Sequence, residues 1–183
     1  MTGFRHVGDS EIATLARLRV VRAEFEAPDG SRFQRDVVRN QEVVAMVPLF
    51  PDRSVCLVRQ YRGPVDQEIL EIPAGLCDVA DEPPESTAAR ELVEEVGLVA
   101  DTLELIASFH PAAGFSDQLV RLYLATGLTS VPDNRQGPEE DHMTIERVHL
   151  DDVPALIAEG HLIDSKTIIG LLLARELVGR LGA

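Results

Sequence analysis

The run from Gly75 to Leu98 constrains this chain more than any other stretch. It reads Gly-Leu-Cys-Asp-Val-Ala-Asp-Glu, then Pro-Pro-Glu-Ser-Thr-Ala-Ala, then Arg-Glu-Leu-Val-Glu-Glu-Val-Gly-Leu. Its second half predicts one helix with clear ends. Asp81 suits a cap, Pro83 and Pro84 suit a first turn where no backbone N–H is needed, and Gly97 suits the left-handed position that ends many helices. On a helical wheel Ala88, Ala89, Leu92, Val93 and Val96 form an apolar stripe fit for a core. Glu91, Glu94 and Glu95 gather opposite, at i, i+3 and i+4. Carboxylates so spaced repel by a few tenths of a kcal/mol per pair, and a hard divalent cation reverses the sign. A solvated acidic face is the plainer alternative.

The order of residues decides between these. R-E-U-x-E-E-x-G-U (U aliphatic), spanning Arg90 to Leu98 and preceded by Glu82 and Gly75, resembles the Nudix box of the Nudix hydrolase family. Six residues separate Gly75 from Glu82, against five in the family pattern, so the loop is longer and the partner of Glu82 is left open. Two flanking pieces point to one branch. Arg59-Gln60-Tyr61-Arg62, followed by Glu71-Ile72-Pro73-Ala74-Gly75, is similar to the V-R-Q-Y-R…E-x-P-A-G of ADP-ribose and nucleotide-sugar pyrophosphatases. Pro111-Ala112-Ala113-Gly114-Phe115-Ser116-Asp117 resembles the S-P-G-F-S/T-D/E loop of that branch, most closely in its actinobacterial members.

The resemblance implies an α+β fold, the Nudix α/β/α sandwich with a mixed β-sheet, preceded by an N-terminal β-unit. Its expected boundaries are residues 1–40 for the β-unit and 41–183 for the hydrolase domain. The chain pattern agrees. Residues 1–13 read as a polar lead-in; Leu18–Phe25 and Ser31–Val38 flank a Pro-Asp-Gly turn and predict a hairpin. Strands are expected at Val43–Phe50, Val55–Tyr61, Glu68–Pro73, Leu103–Phe109, Leu119–Ala125 and Thr144–Leu150. Asp151 and Asp152 cap a short helix ending near Gly160, and a longer amphipathic helix starts at Ser165.

Carried over residue by residue, the resemblance makes Glu91 and Glu95 metal ligands, shared or supported by Glu94, with the Ala74 carbonyl as a further ligand. Mg²⁺ is the implied cofactor and Mn²⁺ its substitute. Arg62 matches the arginine that contacts the diphosphate, a role its rigid fork of donors suits. Gly114, Phe115 and Ser116 become substrate contacts. The general base of this branch comes from the acidic loop before the last strand, where Glu140 is favoured slightly over Glu139. Arg90 is expected to brace the helix against Glu71 or Glu82. His110 and His142 receive no role.

The implied activity is hydrolysis of the diphosphate of ADP-ribose, or of a related nucleoside diphosphate sugar, to AMP and the sugar phosphate. A non-catalytic Nudix-fold sensor is the rival class, but such proteins tend to lose box carboxylates, and all three are present here. The net charge of −14 argues against nucleic acid and anionic membranes as partners, since both need basic patches. It also conflicts with an anionic substrate unless bound cations intervene. Two cysteines give no disulfide framework, and no apolar leader is visible, so a cytoplasmic setting is expected. The branch further implies a homodimer that exchanges its N-terminal β-unit.

Overall fold

The computed structural model describes residues 3–132 and 142–181. Its contacts divide the chain into two units, Met1–Glu42 with His110–Leu119, and Val43–Phe109 with Val120–Ala183.

The first unit is an antiparallel sheet of β1 (Arg5–Thr14), β2 (Leu18–Glu26) and β3 (Arg32–Asn40), in that order. The lead-in expected at the N-terminus is therefore a strand. β1 runs beside β2 from Arg5 opposite Glu26 to Thr14 opposite Arg19, with two register shifts. Both of its faces are largely exposed, so its sequence shows none of the apolar alternation that betrays a half-buried strand. Main-chain pairing and surface ion pairs hold it instead, including Arg5 to Glu26 at 3.0 Å and Arg39 to Asp9 at 2.9 Å. The segment His110–Leu119 lies along β3. The Val38 N–H donates to the Phe115 carbonyl at 2.8 Å, and the Asp117 carboxylate accepts from the Asn40 N–H at 2.9 Å.

The second unit holds two sheets. One is ordered β10-β5-β6, from Thr144–His149, Ser54–Arg62 and Gln67–Glu71. The other is β7-β4-β9-β8, from Ala74–Leu76, Val43–Pro48, Val120–Ser130 and Leu98–Phe109. β4 and β9 are parallel and the remaining pairs antiparallel, so the second sheet is mixed. β4 is buried on both faces, which is why it reads as an unbroken apolar run. Successive side chains leave it in opposite directions. Val44 and Met46 join Cys56, Val58, Ala88, Leu92, Val96 and Tyr123 in one core cluster, beneath helix α1 (Pro84–Val96). Ala45 and Val47 join Leu57, Ile72, Leu122, Leu150 and Leu171 in another, beneath α2 (Val153–Ala158) and α3 (Ser165–Leu181). Helices on either side of the strands make the layered α/β/α arrangement.

α1 ends as its sequence predicts. Gly97 is left-handed, at φ 62°, and its N–H returns to the Val93 carbonyl at 3.0 Å. Its start differs. Pro83 is the N-cap and no side chain caps the helix, because Asp81 is itself left-handed, at φ 63°, in the turn before it. α3 has the side-chain cap that α1 lacks: Asp164 accepts the Thr167 N–H at 2.9 Å and its hydroxyl at 2.6 Å. The Thr167 oxygen then accepts the Ile72 N–H at 2.9 Å, tying the helix to the end of β6. Among the described residues, no helix is long and apolar enough to cross a membrane.

Candidate active site

The site begins where α1 meets β7. β7 pairs with β4, Gly75 opposite Val44 and Ala74 opposite Ala45, and Ala88, Leu92 and Val96 press α1 onto the strands. The buried stripe is rotated from the expected one. Ala89 is exposed and Val93 only half-buried, while Thr87 and Glu95 are buried in their place. Glu95, expected on the polar face of the helix, is thus buried. Its carboxylate accepts the Ala74 N–H at 3.1 Å, which offsets part of the desolvation cost.

Glu91 explains Gly75. A Cβ on Gly75 would lie 2.1 Å from the Glu91 carboxyl carbon, so the glutamate occupies the space that a larger residue would fill. Burial pushes the Glu91 carboxyl up, against the pull of Arg90 and with the charges of Glu94 and Asp78 adding to the rise. Arg90 stands among these acids. Its Nη1 donates to Glu91 at 2.8 Å and Glu94 at 2.9 Å, and its Nη2 to Glu82 at 3.2 Å. Glu82 also accepts the Thr87 hydroxyl at 2.7 Å, and the Arg90 and Thr87 bonds hold its carboxyl below the ordinary range. The partner of Glu82, left open by the longer loop, is therefore Arg90 with Thr87. Glu71 is not a partner of Arg90 as one alternative had it.

Glu71 belongs to a second network. Arg62 clasps it with both arms, Nε at 2.7 Å and Nη2 at 2.8 Å, and Lys166 of α3 donates to the same carboxylate. Burial works to raise the Glu71 carboxyl, but these two cations outweigh it and hold it below its ordinary value. Lys166 also reaches Asp164 at 3.0 Å. The charge of Glu95 acts on Arg62 as well, so the box helix and the arginine at the end of β5 share one electrostatic neighbourhood. Sequence reading missed Lys166. Its one signal was a lysine in the first turn of a helix, where the dipole disfavours a cation.

The other expected residues fall elsewhere. Gly114, Phe115 and Ser116 lie in the turn of the first unit, where the Phe115 and Ser116 N–H groups both donate to the Ala112 carbonyl and Phe115 is 59% exposed. Glu139 and Glu140 lie outside the described residues. The His110 Nδ1–H donates to the Gln118 carbonyl, 2.8 Å away, and His142 is exposed.

Among the described residues no three Asp, Glu, His or Cys side chains form a ready cage for a metal ion. The donor chemistry nevertheless fits a hard divalent cation. Mg²⁺ needs one or two carboxylates and keeps its waters, and Glu91 is a half-buried acid with more acids than bases acting on it.

Comparison with known proteins agrees. A family model described as the NUDIX domain matches residues 39–169. The chain belongs to the Nudix family. It is a Nudix hydrolase, 37% identical over 169 residues to an ADP-ribose pyrophosphatase of Mycobacterium tuberculosis, covering 92% of this chain and 82% of that one. It is 36% identical over 149 residues to a methanol dehydrogenase activator of Bacillus methanolicus, covering 81% and 80%. An ADP-ribose pyrophosphatase of Bacillus subtilis is 33% identical over 144 residues, covering 79% and 77%. A crystal structure of an ADP compounds hydrolase superposes with a TM-score of 0.85 at 24% identity, covering 98% of this chain and 96% of that one, and so shares the Nudix fold.

Two outcomes are expected. Gly75→Ala should evict the Glu91 carboxylate while leaving the fold intact, because the clash is with a side chain and not with backbone. Mg²⁺ affinity, read by calorimetric titration, should fall by about 10- to 100-fold, with little change in Tm. Glu71→Gln should destabilise the protein at neutral pH. Since the folded carboxyl titrates below its unfolded value, its contribution is present above that value and lost as pH falls through the folded one. The gap in denaturation midpoint between variant and parent should therefore close in acid; a gap that widens there would contradict the assignment.

Proposed function

We propose that this chain hydrolyses the diphosphate of ADP-ribose to AMP and ribose 5-phosphate. The observation that carries the reading is an arginine, Arg62, whose inner edge is fixed by Glu71, whose side chain is 40% exposed and on which the charge of Glu95 of the box helix acts. The curated relatives named ADP-ribose pyrophosphatases support this choice of substrate.

Glu91, Glu94, Glu95 and the Ala74 carbonyl would hold Mg²⁺, or Mn²⁺ in its place. When bound, the ion offsets the negative charge that grows on the diphosphate oxygens. Arg62 binds and orients the diphosphate. Arg90 braces the box helix by bridging Glu91 and Glu94 to Glu82. Glu140, or its neighbour Glu139, takes the proton of the attacking water as the water oxygen bonds to one phosphorus and the bridging P–O bond breaks. A carboxylate engaged by a cation is a poor proton acceptor, which is why the base is placed in the acidic loop and not on α1. Gly114, Phe115 and Ser116 are assigned to substrate contact on the sequence of their loop alone.

We also propose a cytoplasmic homodimer built through residues 1–40, the dimerisation unit, with 41–183 as the hydrolase domain. Exposed Phe4, Ile12 and Leu15 on the first unit support an interface there.

A panel of nucleoside diphosphate derivatives with Mg²⁺, read by chromatography, should show ADP-ribose cleaved fastest; preference for another sugar would redirect the substrate assignment. Glu140→Gln should lower turnover by roughly 10²–10⁴ with little change in binding. Light scattering should give twice the 20.0 kDa chain mass, and one chain mass at micromolar concentration would rule the dimer out.

A further inference from the structure

Glu71 has two cations for one carboxylate. Its side chain is 3% exposed, yet it takes the Arg62 fork on both oxygens and Lys166 on one of them. Lys166 is itself mostly enclosed, at 13% exposure, and its other partner is Asp164, which is also committed to capping α3 through Thr167. The arrangement is unusual in two respects. A single Arg–Glu pair would already satisfy Glu71, and Lys166 sits in the first turn of a helix, where the dipole opposes its charge. A buried ion network of this kind is weak evidence for stability, since apolar residues of similar volume often do as well.

The effect on Arg62 supplies a reason. Of its five N–H donors, the two used on Glu71 are the Nε and one on Nη2, leaving three on the far edge. Lys166 grips the same carboxylate from the other side, so Glu71 is fixed and in turn fixes the Arg62 fork, whose outer edge keeps its donors for an anion. Resting on the assignment of Arg62 to the diphosphate, we propose that Lys166 is a positioning residue that holds Glu71 and so presents Arg62, correctly oriented, to the substrate's diphosphate.

The test is a double-mutant cycle. Affinity for the α,β-methylene analogue of ADP-ribose, whose P–C–P bridge resists hydrolysis, is measured by calorimetry with Mg²⁺ for the parent, Arg62→Met, Lys166→Met, Lys166→Arg and the double Met variant. Lys166→Met should weaken binding by about tenfold, with KM for ADP-ribose rising more than kcat falls. Lys166→Arg should recover most of the loss, and the double variant should bind no worse than Arg62→Met. Normal affinity in Lys166→Met beside weakened Arg62→Met, or losses that add in the double variant, would overturn the role of Lys166 and leave that of Arg62 standing. Normal affinity in Arg62→Met would overturn the diphosphate assignment and this inference with it. Should Lys166→Met not fold, Lys166→Gln, which keeps a donor but no charge, replaces it in every comparison.

Discussion

The close approach of α1 to β7 is the contact on which the catalytic half depends. It exists because Gly75 has no side chain, which leaves room for the Glu91 carboxyl against the strand. One turn on, Glu95 reaches the Ala74 N–H, so the same strand end grips the helix twice. The apolar side fixes the rotation. Leu92 is fully buried between these two glutamates, and turning the helix to free either acid would bring Leu92 toward water. Carboxylates that would otherwise repel are thus held together by packing.

That crowding sets the electrostatics of the region. A chain with a net charge of −14 gathers Glu82, Glu91 and Glu94 around the single guanidinium of Arg90. The balance differs from group to group. Glu82, with a hydroxyl and a guanidinium, stays a stronger acid than usual, whereas Glu91, half-buried beside other acids, is a weaker one. Around Glu71 the charges balance instead, with Arg62 and Lys166 set against Glu71 and Asp164.

Much of this was legible in the residues. The end of α1 at Gly97, the strand that follows it and the start of α3 at Ser165 follow from glycines and apolar runs that act locally. The carboxylate cluster was visible because its spacing is a property of the helix alone. What escaped had its cause elsewhere in the chain. β1 has no apolar face, so only pairing with β2 reveals it. Asp81 has the chemistry of a cap but adopts the wrong backbone conformation. Glu95 is polar by composition and buried by the strand that covers it. Lys166 lies far along the sequence from Glu71, and nothing short of the folded chain brings α3 to the end of β6. Of Glu71 and Glu82, the two expected partners of Arg90, only the folded turn before the helix decides for Glu82.

β4 serves both layers, with Val44 and Met46 toward α1 and Ala45 and Val47 toward α3. A one-residue slip would exchange those sets and put each under the wrong helix. The loop between Gly75 and Glu82 carries one residue more than the family pattern, and Arg90 and Thr87 still capture Glu82. Insertions and deletions should therefore be unevenly tolerated along this chain, absorbed where a long arginine can make up the distance and ruinous where alternate residues answer to opposite neighbours.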